Sequence, residues 1–329
     1  MTDTAFRKLE LAFAALAAAM FMVLPVFTGE GSLLSVTVFL ILALLSISMS
    51  LVWGMAGIFS FGQTVFFGIA AYAYSVIMIN TDNTLLSVGA AVAIACAVAL
   101  AIGYFTIYGR VSDLYIAVIT LAVSLLIYQY INTLSGDAAR IGAANLGGYT
   151  GMPGVPPLSM PGDPTLYADV YGMYFISLGA LIAAFTGIRL LERSVFGQSV
   201  IAVRENELRA ELLGYDSRFY RLVVFVAGGA IAGFAGVLYA AWGGFIEPSV
   251  FSLAFAAQPI IWTVAGGVAS PIGPALGSLL VQSLTTWLGA RQIADNNIVL
   301  GLIFIAFVLF VPQGLVPAIR RLVVRETSP

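Results

Sequence analysis

The sequence predicts an all-α polytopic integral membrane protein of about ten transmembrane helices, both termini cytoplasmic, with broken or re-entrant segments. Hydrophobic residues fill 60% of 329 positions and charged residues only 9%, a composition outside the range of water-soluble domains. Runs of about twenty apolar residues, the length that crosses a hydrocarbon core, recur along the whole chain. The basic residues fall where alternating crossings return to one side.

In chain order, the apolar runs place helices near 9–27, 33–53, 61–79, 85–107, 114–134, 171–191, 222–243 and 298–316. The first follows Arg7 and Lys8 as a signal sequence would, but it exceeds a typical h-region and leads straight into further spans, so an uncleaved helix is expected. The stretch 253–290 is apolar throughout yet is cut by Gly266, Gly267, Pro271, Gly273 and Pro274, which end one helix and start another. If it crosses twice and the first helix starts in the cytoplasm, only Arg140 and Arg291 of the fourteen basic residues lie outside. A single crossing would strand Arg320, Arg321 and Arg325 externally. Two short crossings are therefore preferred, with a re-entrant pair of half-helices as the alternative. The chain is then one transmembrane domain over 1–329, with an external loop at 135–170 and a polar cytoplasmic region at 192–221.

Lys8 is the only lysine and histidine is absent, which excludes a GxxxxGK[ST] phosphate loop, Ser-His-Asp catalysis and histidine metal sites. No catalytic residue, metal site or nucleic-acid partner is expected. Cys96, the only cysteine, has no intrachain partner and reads as a small buried hydrophobe. Glu10, Asp113 and Glu247 stand at span ends, so no span carries a charge at its centre and a proton or sodium gradient has little to act on. Energy then comes from another chain, or the pore is passive.

Two glycine clusters stand out. Gly54, Gly57 and Gly62 bracket Ser60 and Gln63 between two spans. They read either as small-residue packing or as a broken helix lining a pathway, with Ser60, Gln63 and Thr64 beside Phe66 and Phe67. Gly228, Gly229, Gly233 and Gly236 share one face of the 222–243 helix and read as close packing in preference to a ligand contact.

Ten of the chain's thirty charged side chains lie between Glu192 and Arg221. Within this window Val200, Ile201, Val203, Leu208, Leu212 and Leu213 recur near helical spacing, and Gly214 stands where a helix takes a left-handed stop. The expectation is one short amphipathic helix over 197–214. Its evenly mixed charges suit a protein groove better than a basic membrane-surface helix would.

The sequence from Gly197 through Val203-Arg-Glu-Asn-Glu-Leu-Arg-Ala210 to Gly214, then Phe219-Tyr-Arg-Leu-Val-Val-Phe225 and Ala232-Gly-Phe-Ala-Gly-Val-Leu-Tyr-Ala240, resembles the LivM-type permease family of branched-chain amino acid ABC importers. Gly54 to Tyr72, Tyr115-Ile-Ala-Val-Ile-Thr-Leu-Ala122 and Ala265 to Gly277 are similar to the same family. The resemblance implies a bacterial inner-membrane permease surrounded by lipid, paired with a related LivH-type permease. Two separate ATPase subunits would bind ATP and Mg, and a periplasmic binding protein would deliver the solute. It implies no cofactor in this chain. The coupling residues would be Gly197, Arg204, Glu205, Asn206, Glu207, Ala210 and Gly214, and Thr120 would join the pathway candidates. Of the wider importer pattern Glu-Ala-Ala-x-x-x-Gly, the chain keeps Ala210 and Gly214, with Leu208 and Arg209 in the first two positions. In place of a Thr-Gly-Gly element the external loop has Asn145-Leu-Gly-Gly-Tyr-Thr-Gly151, making Asn145, Gly147, Gly148, Thr150 and Gly151 docking candidates. The solute implied is an aliphatic amino acid, with urea or a short amide as the alternative; a stand-alone neutral-solute channel is the reading from another class.

Overall fold

The computed structural model describes residues 3–134, 139–160, 163–268 and 270–290, with 301, 305 and 314 beyond them. The expected last span at 298–316 and the basic positions Arg291, Arg320, Arg321 and Arg325 lie outside the described residues, residues 301, 305 and 314 excepted. Long helices α1 (Asp3–Phe27), α2 (Glu30–Met49), α3 (Gln63–Thr81), α4 (Thr84–Gly103), α5 (Asp113–Thr133), α6 (Val170–Arg193) and α9 (Ser217–Gly243) follow the apolar runs. Between α6 and α9 lie the short α7 (Val195–Glu205) and α8 (Glu207–Leu212), and α10 (Leu253–Gly266) and α11 (Ile272–Ala290) come after α9. With the π-helical turns that extend α2 and α4, six helices among the described residues are long and apolar enough to cross a membrane.

Polar loop residues start these helices. Asn83, Asp169, Ser194, Asp216 and Ser252 each accept a backbone N–H from the first turn that follows, meeting donors that a helix leaves unpaired. α2 is apolar on every side and is buried without interruption from Leu40 to Val52, the pattern of a central helix. It packs against α6, α9, α10 and α11. Beside it α3, α4 and α9 form a tight trio. The glycine stripe packs as its spacing predicts: Gly229 and Gly233 face Ala99 and Ala95 of α4, Gly228 faces Val52, and Gly236 lies against the Phe67 carbonyl. Only small residues allow backbones this close. Cys96 departs from expectation, being half-exposed on α4 rather than buried.

Contacts sort the loops to two ends of the bundle. One end gathers the α2–α3 break, the α4–α5 loop, α7 and α8 through Arg204 to Gly54 and Arg221 to Asp113 and Glu207. The other gathers the α3–α4 turn, the 139–167 loop and the segment after α9. There Asn80 donates to Ile141 O at 2.9 Å and accepts from Ala143 N at 2.8 Å. The loop is not featureless. It carries short antiparallel pairs, β1 (Arg140–Ile141) with β2 (Ala144–Asn145), β4 (Ser159–Met160) with β5 (Asp163–Tyr167), and β3 (Met152–Pro153) with β6 (Phe245–Ile246) beyond α9.

The 253–290 region is two helices, as the Gly/Pro cluster predicts, but its path starts earlier than expected. At 14 residues, α10 reaches about 21 Å, short of a core about 30 Å thick. The missing part is non-helical. From β6 the chain runs through a 3₁₀ turn (Pro248–Phe251) to Ser252. Phe251 packs over Gly68 and stacks on Tyr72, its ring centroid 6.0 Å away. Ser124 Oγ donates to Phe251 O at 2.9 Å. Tyr72 is the middle residue of α3 and Ser124 lies near the middle of α5, so the turn sits at mid-span. Irregular backbone at such depth persists only where protein covers it. Past α10 the chain turns against the first end: a Cβ on Gly54 would lie 2.7 Å from Val268 O, and Ser46 Oγ donates to Pro274 O at 2.8 Å.

Candidate functional site

The break after α2 is built by a π-turn, Ser50–Met55, a wide helical turn that frequently marks functional segments. Gly57 then takes φ +74°, a left-handed value that admits glycine without strain, and the backbone stays non-helical until α3 starts at Gln63. Thr120 of α5 closes the break. It accepts from Phe61 N at 3.1 Å, and its hydroxyl lies 3.3 Å from Ser60 Oγ. Ser60 Oγ in turn accepts from Gly62 N at 2.9 Å, and Thr64 Oγ1 donates to Phe61 O at 3.0 Å.

Ser48 Oγ lies 2.6 Å from Leu45 O and 3.2 Å from the Gln63 side-chain oxygen. One hydroxyl proton serves only one acceptor. Turning the Gln63 carboxamide lets Nε2 donate one N–H to Ser48. Thus Ser60, Thr64 and Thr120 form a hydrogen-bonded knot that ties the break to α5, Gln63 separately meets Ser48 of α2, and Phe66 and Phe67 pack into the α9 side. All seven are at most 1% exposed.

At the same end the expected single helix over 197–214 is two. Asn206 is extended (φ −156°, ψ 95°), ending α7, and its side-chain oxygen accepts Arg209 N at 2.9 Å to start α8. The apolar spacing continues through this break, so periodicity alone conceals it. Gly214 has φ +92°, as a left-handed stop requires. Gly197 is buried where α7 turns against Leu191, and Ala210 is 4% exposed; neither faces outward. Arg204, Glu205, Asn206, Glu207 and Gly214 are exposed.

Residues absent from the sequence-based set form the open surface. Leu208, Leu212 and Leu213 are 69%, 80% and 78% exposed, with Leu208 and Leu212 one turn apart on the same face of α8. On an amphipathic helix such residues read as buried. Their exposure shows that no described residue covers the apolar face of α8.

Two arginines join these helices to the bundle. The Arg204 guanidinium donates to Gly54 O, and its aliphatic stem crosses Gly57, where a Cβ would lie 2.8 Å from Arg204 Cγ. Arg221 of α9 pairs with Asp113, at the start of α5, and with Glu207 of α8 at 3.6 Å. Ser217 Oγ lies 2.9 Å from Glu207 Oε1 and 2.7 Å from Glu211 Oε1. Arg221 is 14% exposed but both carboxylates are about half exposed, and pairs open to solvent on one side add little stability; they fix where α8 sits.

At the opposite end Gly147, Gly148 and Gly151 all take positive φ and fold the loop into a tight turn. Thr150 Oγ1 donates to Gly147 O at 2.7 Å, and Asn145 Oδ1 accepts Gly147 N at 3.1 Å. Tyr149, between the candidate residues, is displayed at 81% exposure. Gly151 approaches the segment after α9: a Cβ there would lie 2.6 Å from Ile246 O and 3.0 Å from Glu247 Cα.

The α2–α3 break, α7, α8 and α10 all lie within a stretch that matches known sequences. Residues 31–310 match the family described as the branched-chain amino acid transport system / permease component. The chain is 25% identical over 329 residues to the high-affinity branched-chain amino acid transport system permease protein LivM of Escherichia coli, covering 90% of this chain and 72% of that protein. The LivM of Salmonella typhimurium gives the same identity and coverage. The xylose transport system permease protein XylH of Haemophilus influenzae is 31% identical over 124 residues, 36% of this chain and 33% of its own length. No solved structure matches. With the family match running from the start of α2 past the end of α11, the chain belongs to the branched-chain amino acid transport system permease family.

Proposed function

We propose that this chain is a transmembrane subunit of an ATP-driven importer in the bacterial inner membrane. It moves a small solute, a branched-chain or other aliphatic amino acid, delivered by a periplasmic binding protein. It pairs with a related permease and with two ATPase subunits that bind ATP and Mg. It makes ten crossings, and the end that carries α7 and α8 is cytoplasmic. The observation that carries the reading is the uncovered apolar face of α8 at Leu208 and Leu212, wired through Arg204 to the break at Gly54. An exposed apolar patch rimmed by charge suits a protein groove.

In this reading ATP binding draws the two ATPases together and moves α8. Arg204 passes the movement to the Gly54 carbonyl. Because Gly54 also touches Val268 between α10 and α11, and Thr120 holds Phe61, the break shifts against α5 and α10 while the α3–α4–α9 trio stays rigid. Two packings of one segment then give the outward-open and inward-open states.

Reconstitution tests the reading. With the related permease, the ATPases and the binding protein in proteoliposomes, labelled leucine accumulates only when ATP is supplied. Flux through this chain alone, or uptake that persists without ATP, would instead make it a stand-alone channel.

A further inference from the structure

α1 touches the bundle mainly through α6, and the contact is held at one point. Pro25 has no N–H to give to Phe21 O four residues earlier, and Tyr174 of α6 donates its hydroxyl to that carbonyl at 2.6 Å. Beyond this clasp, toward the end of the bundle that carries α7, α1 does not close onto α6. A cavity of about 300 Å³ lies between α1, α2, α6 and the start of α11, and α1 lines it with four alanines and Phe21, side chains mostly too short to fill it.

The wall is apolar apart from Thr186. Cavities of that kind stay dry, and an engineered one of about 150 Å³ takes up benzene. The volume therefore calls for a hydrocarbon guest. On α6 the lining residues Leu178, Ile182, Phe185 and Thr186 share one face, and the next residues on that face are Arg189 and Arg193. The Arg189 guanidinium lies 5.4 Å from the Phe185 ring centre and pairs with Glu192 at 3.1 Å. Arg193, one turn further, is exposed and pairs with no carboxylate among the described residues. From Leu178 to Arg193 the helix rises about 22 Å. Half a bilayer with its headgroups is about 20–22 Å deep, so a chain whose tip reaches Leu178 has its phosphate at the level of Arg193.

We propose that this cavity holds one acyl chain of a phospholipid, with the lipid phosphate met by Arg193 and Arg189 at the rim. The guest fills the space that the α1 alanines leave and holds α1 against α6. It also touches the last turns of α6, which Ser194 joins to α7. The site lies apart from the α2–α3 break and from α8, and it does not depend on which solute the chain moves.

The test is native mass spectrometry of the full-length chain after detergent exchange, followed by titration with phosphatidylglycerol. The unsubstituted chain is expected to keep one phospholipid. Ala18→Phe fills the cavity from α1 and is expected to lower the bound fraction about tenfold, because packing is what binds apolar groups within a lipid environment. Its unfolding temperature is expected at or above that of the unsubstituted chain. Arg193→Gln is expected to weaken phosphatidylglycerol binding about fivefold, the effect of one basic side chain at an anionic headgroup. An unsubstituted chain that keeps and takes up no phospholipid overturns the site, as does an Ala18→Phe variant that binds like the unsubstituted chain. Unchanged binding by Arg193→Gln overturns the phosphate contact. If Ala18→Phe unfolds early, a photo-crosslinking amino acid at Ile182 in the detergent-exchanged protein decides. An adduct with phosphatidylglycerol upholds the site; an adduct with residues 291–329 or with a second copy of the chain overturns it.

Discussion

In the assembled transporter, Arg204→Ala is expected to cut solute uptake about tenfold while ATP hydrolysis in the absence of solute changes less than about twofold. The difference arises because Arg204 faces inward to the break rather than outward to a partner. Its guanidinium donates to Gly54 O and its stem packs on Gly57, so truncation removes a charge-assisted hydrogen bond and the contact beside it. Such a bond contributes about 1.5–3 kcal/mol, and since Arg204 is exposed the low end applies, about one decade in rate. Arg204→Lys keeps a donor and part of the stem, and an intermediate ratio of uptake to ATP consumed is expected. Measuring that ratio separates transmission from docking: loss of both activities together would place Arg204 in the ATPase contact instead.

Gly236→Val is expected to remove most folded protein. At this position α9 meets α3 backbone to backbone, and a Cβ would overlap the Phe67 carbonyl rather than a movable side chain. Overpacking typically costs about 1–3 kcal/mol and more where backbone must shift. Phe67 sits in the rigid trio against Tyr239 and Phe255, so little can give. Thermal unfolding of the detergent-purified chain measures the effect. Gly179→Ala on α6, where nothing lies within 4 Å, provides the contrast and is expected to unfold at or above the wild-type temperature.

How much of this could be read beforehand differs by element. The long helices were legible because a bilayer demands about twenty apolar residues and the chain supplies them in runs. The glycine stripe on α9 was legible as a close-packing face because its three- and four-residue spacing puts the glycines on one side of the helix, and its contacts with Ala95, Ala99, Val52 and Phe67 show packing rather than a ligand contact. The break at Asn206 was not. Ile201 and Leu208, seven residues apart, stay in phase across it, and an Asn in mid-helix carries no mark until its side chain is seen capping Arg209 N. The descent from β6 to Phe251 was hidden for a different reason: the nine residues 244–252 lie outside any α-helix and have no α-helical periodicity, so hydropathy starts the span at Leu253 and leaves Glu247 outside. Exposure at Leu208 and Leu212 was illegible in principle, since a leucine on an amphipathic helix reads the same whether its own chain or another protein covers it. Ser60, Gln63, Thr64 and Thr120 were picked from composition around a glycine cluster. Only the structure shows Ser60, Thr64 and Thr120 as one knot, closed by a hydroxyl on α5, with Gln63 held separately by Ser48 of α2.

A photo-crosslinking amino acid at Leu212 of the assembled transporter tests the central claim most directly. The account predicts a covalent adduct with an ATP-hydrolysing subunit whose yield changes when ATP is added. Labelling of lipid alone, with uptake continuing in ATP-depleted vesicles, would contradict it.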